Sequence, residues 1–260
     1  MLKRWTICTM LLPAVLVTVG AAGGGAVAYG QDLEARADRI LRDMGAYLSS
    51  AEEFRFQADV SYDTLWAAGQ MIQYGGVADV AVRRPNRLRV EFDGDEDQYR
   101  VVYDGEEITV YQFDTNVYAV SEGGSGIDDA IDRVFDLSGN SEPIADLVYA
   151  DPYAVLSENV EAGFVVGRHS VGGTPCHHLA FSQQEVDWQI WIEDGPRPLP
   201  RKLVITYKNE PGAPRYIATM SGWDFQPRVS DHYFEFRPPP GADEIEFRAP
   251  PEEEEEELEP

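Results

Sequence analysis

The sequence predicts a β-rich α+β fold: a single strongly curved antiparallel sheet of about twelve strands, with an N-terminal helix and a helical insertion midway. Three observations carry this. Apolar and polar residues alternate over most of the stretch from Phe54 to Phe113, and again from Gly163 to Phe225. Helical spacing occurs in two places only, before the first strands and between the two strand-rich halves. No Pro-, Gly- or Ser-rich linker separates the halves, so the strands belong to one domain. A sheet this large must curl or close, which makes an incomplete β-barrel the expected form.

The elements follow in order. From Gln31 to Ser50, Leu33, Ala37, Ile40, Leu41, Met44, Tyr47 and Leu48 recur at helical spacing, and charged residues fill the positions between. The period then becomes two. Phe54 to Asp63, Gln73 to Val82, Arg87 to Phe92, Tyr99 to Asp104, Ile108 to Phe113 and Val117 to Val120 read as an antiparallel meander, with a tight hairpin at Asp104-Gly105. Ser125 with Asp128 resembles a capping box ahead of a short helix carrying Ile127, Ala130, Ile131, Val134 and Phe135. Pro143 to Tyr149 fits a second helix, and Asp151 caps a third with Pro152 in its first turn. Strands resume at Gly163 to Val171, Thr174 to Ser182, Val186 to Ile192, Leu203 to Lys208 and Ile217 to Phe225, with a short last one at Phe234 to Phe236.

The chain ends are different in kind. Lys3 and Arg4 precede the apolar run Trp5 to Gly20, and Ala26-Val27-Ala28 is a small-residue cleavage site, so residues 1–28 read as a secretory signal peptide cut near Ala28. The competing reading is an uncleaved membrane anchor. The run is shorter than the roughly 20 residues a spanning helix needs, and Pro13 and the glycine-rich exit also argue against it. The mature protein is then expected to be a free periplasmic monomer with no membrane anchor. Its domain covers residues 29–248, and residues 249–260, with Glu252 to Glu257 and Glu259, form an acidic disordered tail. Loss of Cys8 leaves Cys176 alone, so no internal disulfide is expected. The formal charge of −25 opposes binding to nucleic acid and to anionic membranes.

Few residues suggest chemistry. Cys176-His177-His178 offers soft metal ligands, but on a strand Cys176 and His178 face one way and His177 the other. Two ligands fall short of a stable zinc site, so these residues read as buried strand positions. Two residues along one strand also make a poor nucleophile–base pair. There is no G-x-S-x-G or H-E-x-x-H sequence, and no catalytic residue, metal or cofactor is assigned. The run Asp187 to Gly195 is more telling, because it puts Trp188, Ile190 and Ile192 on one face and Trp191 on the other. Such a strand needs both faces covered or one face lining a cavity.

Val82 to Val90, Tyr103-Asp104-Gly105, Ala145-Asp146-Leu147, Cys176 to Phe181 and the long run Asp187 to Lys208 resemble a family of bacterial periplasmic proteins of unknown function, over Leu41 to Phe247. More distantly, the layout is similar to the periplasmic lipoprotein carriers of the LolA and LolB type. The shared features are Pro85, Arg87, Leu88 and Arg89; Asp104, Gly105, Ile108 and Tyr111; and Trp191, Ile192, Glu193, Leu199 and Pro200. The resemblance implies a half-barrel whose concave face is closed by helices and holds acyl chains, and it implies no catalytic residue.

On that analogy Leu88, Val90, Phe92, Trp188, Ile190 and Ile192 would line the cavity, and Ile131, Val134, Phe135, Leu147 and Val148 would form its lid. The partner would be a lipid, an acyl chain or a lipoprotein. The alternative is a protein-interaction or assembly factor on the same scaffold, and a hydrolase with dispersed carboxylates ranks third. Alternation alone leaves open which face of the sheet is concave.

Overall fold

A computed structural model describes residues 33–67, 69–138 and 142–247. The segment read as a signal peptide, Cys8 and the acidic tail lie outside the described residues. The first helix, α1, spans Ala35–Ser49, and the meander follows as β1 (Glu53–Leu65), β2 (Met71–Arg83), β3 (Arg87–Gly94), β4 (Gln98–Tyr103), β5 (Glu107–Gln112) and β6 (Val117–Glu122). The insertion holds α2 (Ile127–Ser138), a 3-10 helix over Pro143–Leu147 and α3 (Pro152–Ser157). The second half supplies β7 (Ala162–Val171), β8 (Thr174–Ser182), β9 (Val186–Glu193), β10 (Pro200–Tyr207) and β11 (Arg215–Asp224), and β12 (Asp243–Glu244) comes last.

All twelve strands form one open sheet in the order β12-β6-β5-β4-β3-β2-β1-β11-β10-β9-β8-β7. Every pairing is antiparallel except β12 with β6. The two halves of the chain meet where β1 pairs with β11. Bulges between Arg55 and Gln57, Val165 and Gly167, and Pro200 and Lys202 add local bend and twist. The result is a half-barrel.

Register fixes one continuous concave face. Ala58 pairs with Ala78 and Met220, and Val60 with Ala218; the row continues through Leu203, Ile190 and Leu179 on one side and Val80, Val90, Val101 and Val110 on the other. Over β7 to β9 this face is filled. The helix α1 turns Ala37, Leu41, Met44 and Leu48 into the core, and Phe181 stacks on Trp188 at 4.1 Å. The same cluster includes Phe54 and Phe56, with Phe56 stacked on Trp223 at 4.3 Å. The crossing of α1 and α3 is close because Gly45 has no side chain: a Cβ there would lie 2.6 Å from Tyr153 Cβ.

Two local expectations are corrected. The cap of α2 uses Asp129, not Asp128: Ser125 donates through its amide (2.7 Å) and hydroxyl (2.6 Å) to the Asp129 carboxylate. The helix starts at Ile127, so its third residue is the one that reaches back, and Asp128 instead accepts from the Ala150 amide at 2.8 Å. Phe234 to Phe236 is not a strand. A 3-10 helix covers Asp231–Phe234, Phe234 is buried, and Phe236 packs on Tyr111 and Tyr118. This segment crosses the convex face, held by Arg83 on Asp231 (2.8 Å) and the Val229 carbonyl (2.6 Å), before β12 adds to the β6 edge. Side chains that dock into the sheet from above have no reason to alternate.

Candidate functional site

Over β1 to β6 the concave face is not filled. It encloses a cavity of about 660 Å³, within the roughly 300–1,000 Å³ usual for small-molecule sites. Its floor is Val60, Ala78, Val80, Val90 and Val101, small aliphatic side chains that leave space where α1 does not reach. Phe92 closes one side. Its ring lies against Gly76, where a Cβ would come within 2.5 Å of it. The roof is Ile131, Val134 and Phe135 from α2, with Glu142, Pro143, Ile144, Ala145 and Val148 from the segment after it.

The roof is tied to the sheet by Arg84. Its guanidinium donates to the carbonyls of Val148 (3.0 Å) and Tyr149 (2.9 Å), and Ile127 donates its amide to the Pro85 carbonyl at 3.1 Å. Burial lowers the pKa of Arg84, and the nearby Asp128 opposes that shift. Asp151 accepts from the Ala154 amide at 3.0 Å, so α3 begins where its sequence predicts.

The mouth is polar and acidic. Tyr62, Asp63, Glu96, Asp97, Glu210 and Arg215 line it. Burial, with Glu96 beside it, pushes the Tyr62 hydroxyl up to about 12. Burial also raises Tyr99, Tyr207 and Tyr216, and it raises Glu142, against which the Tyr99 hydroxyl pulls down and Asp97 pushes further up.

Seven of the expected site residues line this cavity: Leu88, Val90, Phe92, Ile131, Val134, Phe135 and Val148. Four do not. Leu147, Trp188, Ile190 and Ile192 are buried in the core outside it. Trp188 and Ile190 share the concave face with Val60 and Val90, but α1 packs there and takes up the space. Sequence reading missed the polar members, Tyr99, Glu142, Tyr207 and Tyr216. The one local signal of the three tyrosines is an aromatic at an inward strand position, which a packed core carries equally, and Glu142, just ahead of the 3-10 helix, has none.

The Cys176-His177-His178 cluster lies on the other half of the sheet. Cys176 is buried, burial raises its thiol pKa, and its Sγ donates to the Thr174 carbonyl at 3.3 Å, not to a histidine. His178 stacks on Trp191 at 3.9 Å. Its Nε2 donates to Gln189 Oε1 at 2.9 Å, which leaves Nδ1 to accept from His169 Nδ1 at 2.9 Å. His177 faces the other way and meets Asp194 at 3.1 Å. A neutral buried thiol without a base is not a prepared nucleophile. No group of three or more His, Cys, Asp or Glu able to hold a metal occurs among the described residues.

A family model described as a predicted periplasmic protein (DUF2092) matches residues 37–248. No curated protein matches the chain in sequence. Among solved structures, the chain is similar to an uncharacterised conserved protein of Thermus thermophilus, at 15% identity and a TM-score of 0.48, over 81% of this chain and 99% of that one. It is also similar to the lipoprotein LppX of Mycobacterium tuberculosis, at 15% identity and a TM-score of 0.44, over 75% and 97% of the two chains. A LolA superfamily protein of Nitrosomonas europaea is similar at 8% identity and a TM-score of 0.39, over 77% and 97%.

Proposed function

The chain belongs to the DUF2092 family of predicted periplasmic proteins, and on that premise we propose that it binds an apolar ligand, an acyl chain or lipid, in the cavity beneath α2. The observation that carries this is the cavity itself. Folding normally fills such a space, because voids lose contacts and a protein interior is packed as densely as an organic crystal. Here one half of a continuous concave face is filled and the other is left hollow, with an aliphatic floor and an amphipathic helix over it. Each ligand methylene moved from water into it contributes about 0.8 kcal/mol.

The test is a pair of measurements. Native mass spectrometry on protein purified from its host should show a bound apolar mass. Val90→Trp puts an indole into the middle of the floor, and it should reduce uptake of a fluorescent fatty acid at least about tenfold with little change in stability, because the added ring enters existing space. Protein that is always empty, and uptake that is the same in wild type and variant, would sink the reading.

One observation favours a second reading, a protein-interaction factor. Leu65 and Trp66, at the end of the long β1–β2 hairpin, are 41% and 57% exposed. On that reading Trp66→Ser removes a partner from pull-downs and leaves fatty-acid uptake unchanged. A pull-down that is identical for both proteins counts against it.

A further inference from the structure

One end of the cavity is not apolar. Glu142 and three tyrosines from separate strands, Tyr99 on β4, Tyr207 on β10 and Tyr216 on β11, line it together. The Tyr99 hydroxyl lies beside Glu142 and opposes the upward push that burial gives its carboxyl. Tyr216 is 5% exposed, and its hydroxyl makes no hydrogen bond of good geometry, although the Ile144 amide lies near it.

The charge around this cluster has one sign. Asp97 adjoins Glu142, and Asp63, Glu96 and Glu210 line the same mouth. Arg215, the basic side chain in the lining, is paired with Asp63 at 3.7 Å. Among the described residues no cation pairs with Glu142. A carboxylate taken out of water without a counter-charge, beside a hydroxyl without a partner, is costly in an empty protein. Both costs end if something brings positive charge and hydrogen-bond donors to the same spot.

We propose that the ligand carries a primary amine at its polar end, and that the ammonium seats against Glu142, Tyr99 and Tyr216. An alkylammonium has three donors and no acceptor, and the cluster offers a carboxylate and two hydroxyl oxygens. The tyrosine ring faces add attraction for a cation. A carboxylate or phosphate head would meet acids instead. This rests on the apolar-ligand reading above and names the head group that reading leaves open.

Titration calorimetry of the purified full chain at neutral pH, with dodecylamine, dodecanol and dodecanoic acid below their aggregation limits, tests it. The amine should bind at least about tenfold more tightly than the alcohol, and the acid more weakly than either. Glu142→Gln should bring the ratio of amine to alcohol affinity close to one. Tyr216→Phe should weaken the amine severalfold with little change in the melting temperature of the empty protein, since the hydroxyl removed makes no hydrogen bond of good geometry. Acid binding as tight as amine binding overturns the inference, and so does an amine preference that survives Glu142→Gln, which would then come from overall charge. If the alcohol binds and no preference appears, the head-group inference alone fails. If none of the three binds, the apolar-ligand reading fails with it.

Discussion

Trp188→Ala should lower stability by about 3–5 kcal/mol and leave fatty-acid uptake intact in protein that is still folded. Trp188 is 4% exposed and stacks on Phe181. Its neighbours across the sheet are Ile205 and Phe181, and the helix α1 belongs to the same packed cluster, so little can move to fill the hole that alanine would leave. Urea unfolding measures the loss, and uptake is read well below the midpoint. The contrast with Val90→Trp makes the pair informative, because one variant should change stability and spare binding while the other does the reverse. Loss of uptake in folded Trp188→Ala protein would mean that the hollow half and the filled half of the concave face are not separate.

The second large effect concerns the roof. Asp146→Asn should stabilise the protein at neutral pH by up to about 3 kcal/mol and change little near pH 4. Burial raises the Asp146 carboxyl from 3.8 to about 6, and no counter-charge offsets that burial. The sign follows from the raised value. The folded protein holds this proton more tightly than the unfolded chain, so stability falls as pH rises from about 4 to about 6 and stays lower above that. Burial of Glu142, four residues before it, acts in the same sense. Both acids sit in or next to the 3-10 helix over Pro143–Leu147, so local opening of the roof relieves the cost without global unfolding. Amide exchange of residues 144–148, corrected for its intrinsic pH dependence, should be slower at about pH 5 than at about pH 7. In Asp146→Asn that difference should shrink. Equal protection at both pH values in the wild type would refute it.

These two expectations mark how far the sequence was legible. Periodicity placed α1, the helices of the insertion and most strands close to where they lie, because strand alternation and helical spacing follow directly from backbone geometry. The cap at Asp151 was equally local and is observed. Where chain direction and sheet direction part, periodicity had nothing to report. Phe234 and Phe236 look like strand residues by spacing, yet they pack down onto the convex face from a crossing segment.

The site divides along the same line. That Leu88, Val90 and Phe92 share a face with Trp188 and Ile190 was determined by alternation and pairing, and the register agrees. That the first group borders a hollow while the second is packed depends on where α1 comes to rest, far from either strand in sequence. The meeting of Tyr99, Glu142 and Tyr216 is more remote still, since it needs the first half of the sheet, the insertion and the second half to close on one another. The sequence by itself determined which residues point the same way, a property of neighbouring bonds. Only the tertiary structure decided what they point at, because curvature and helix docking are set by contacts between segments that no local pattern encodes.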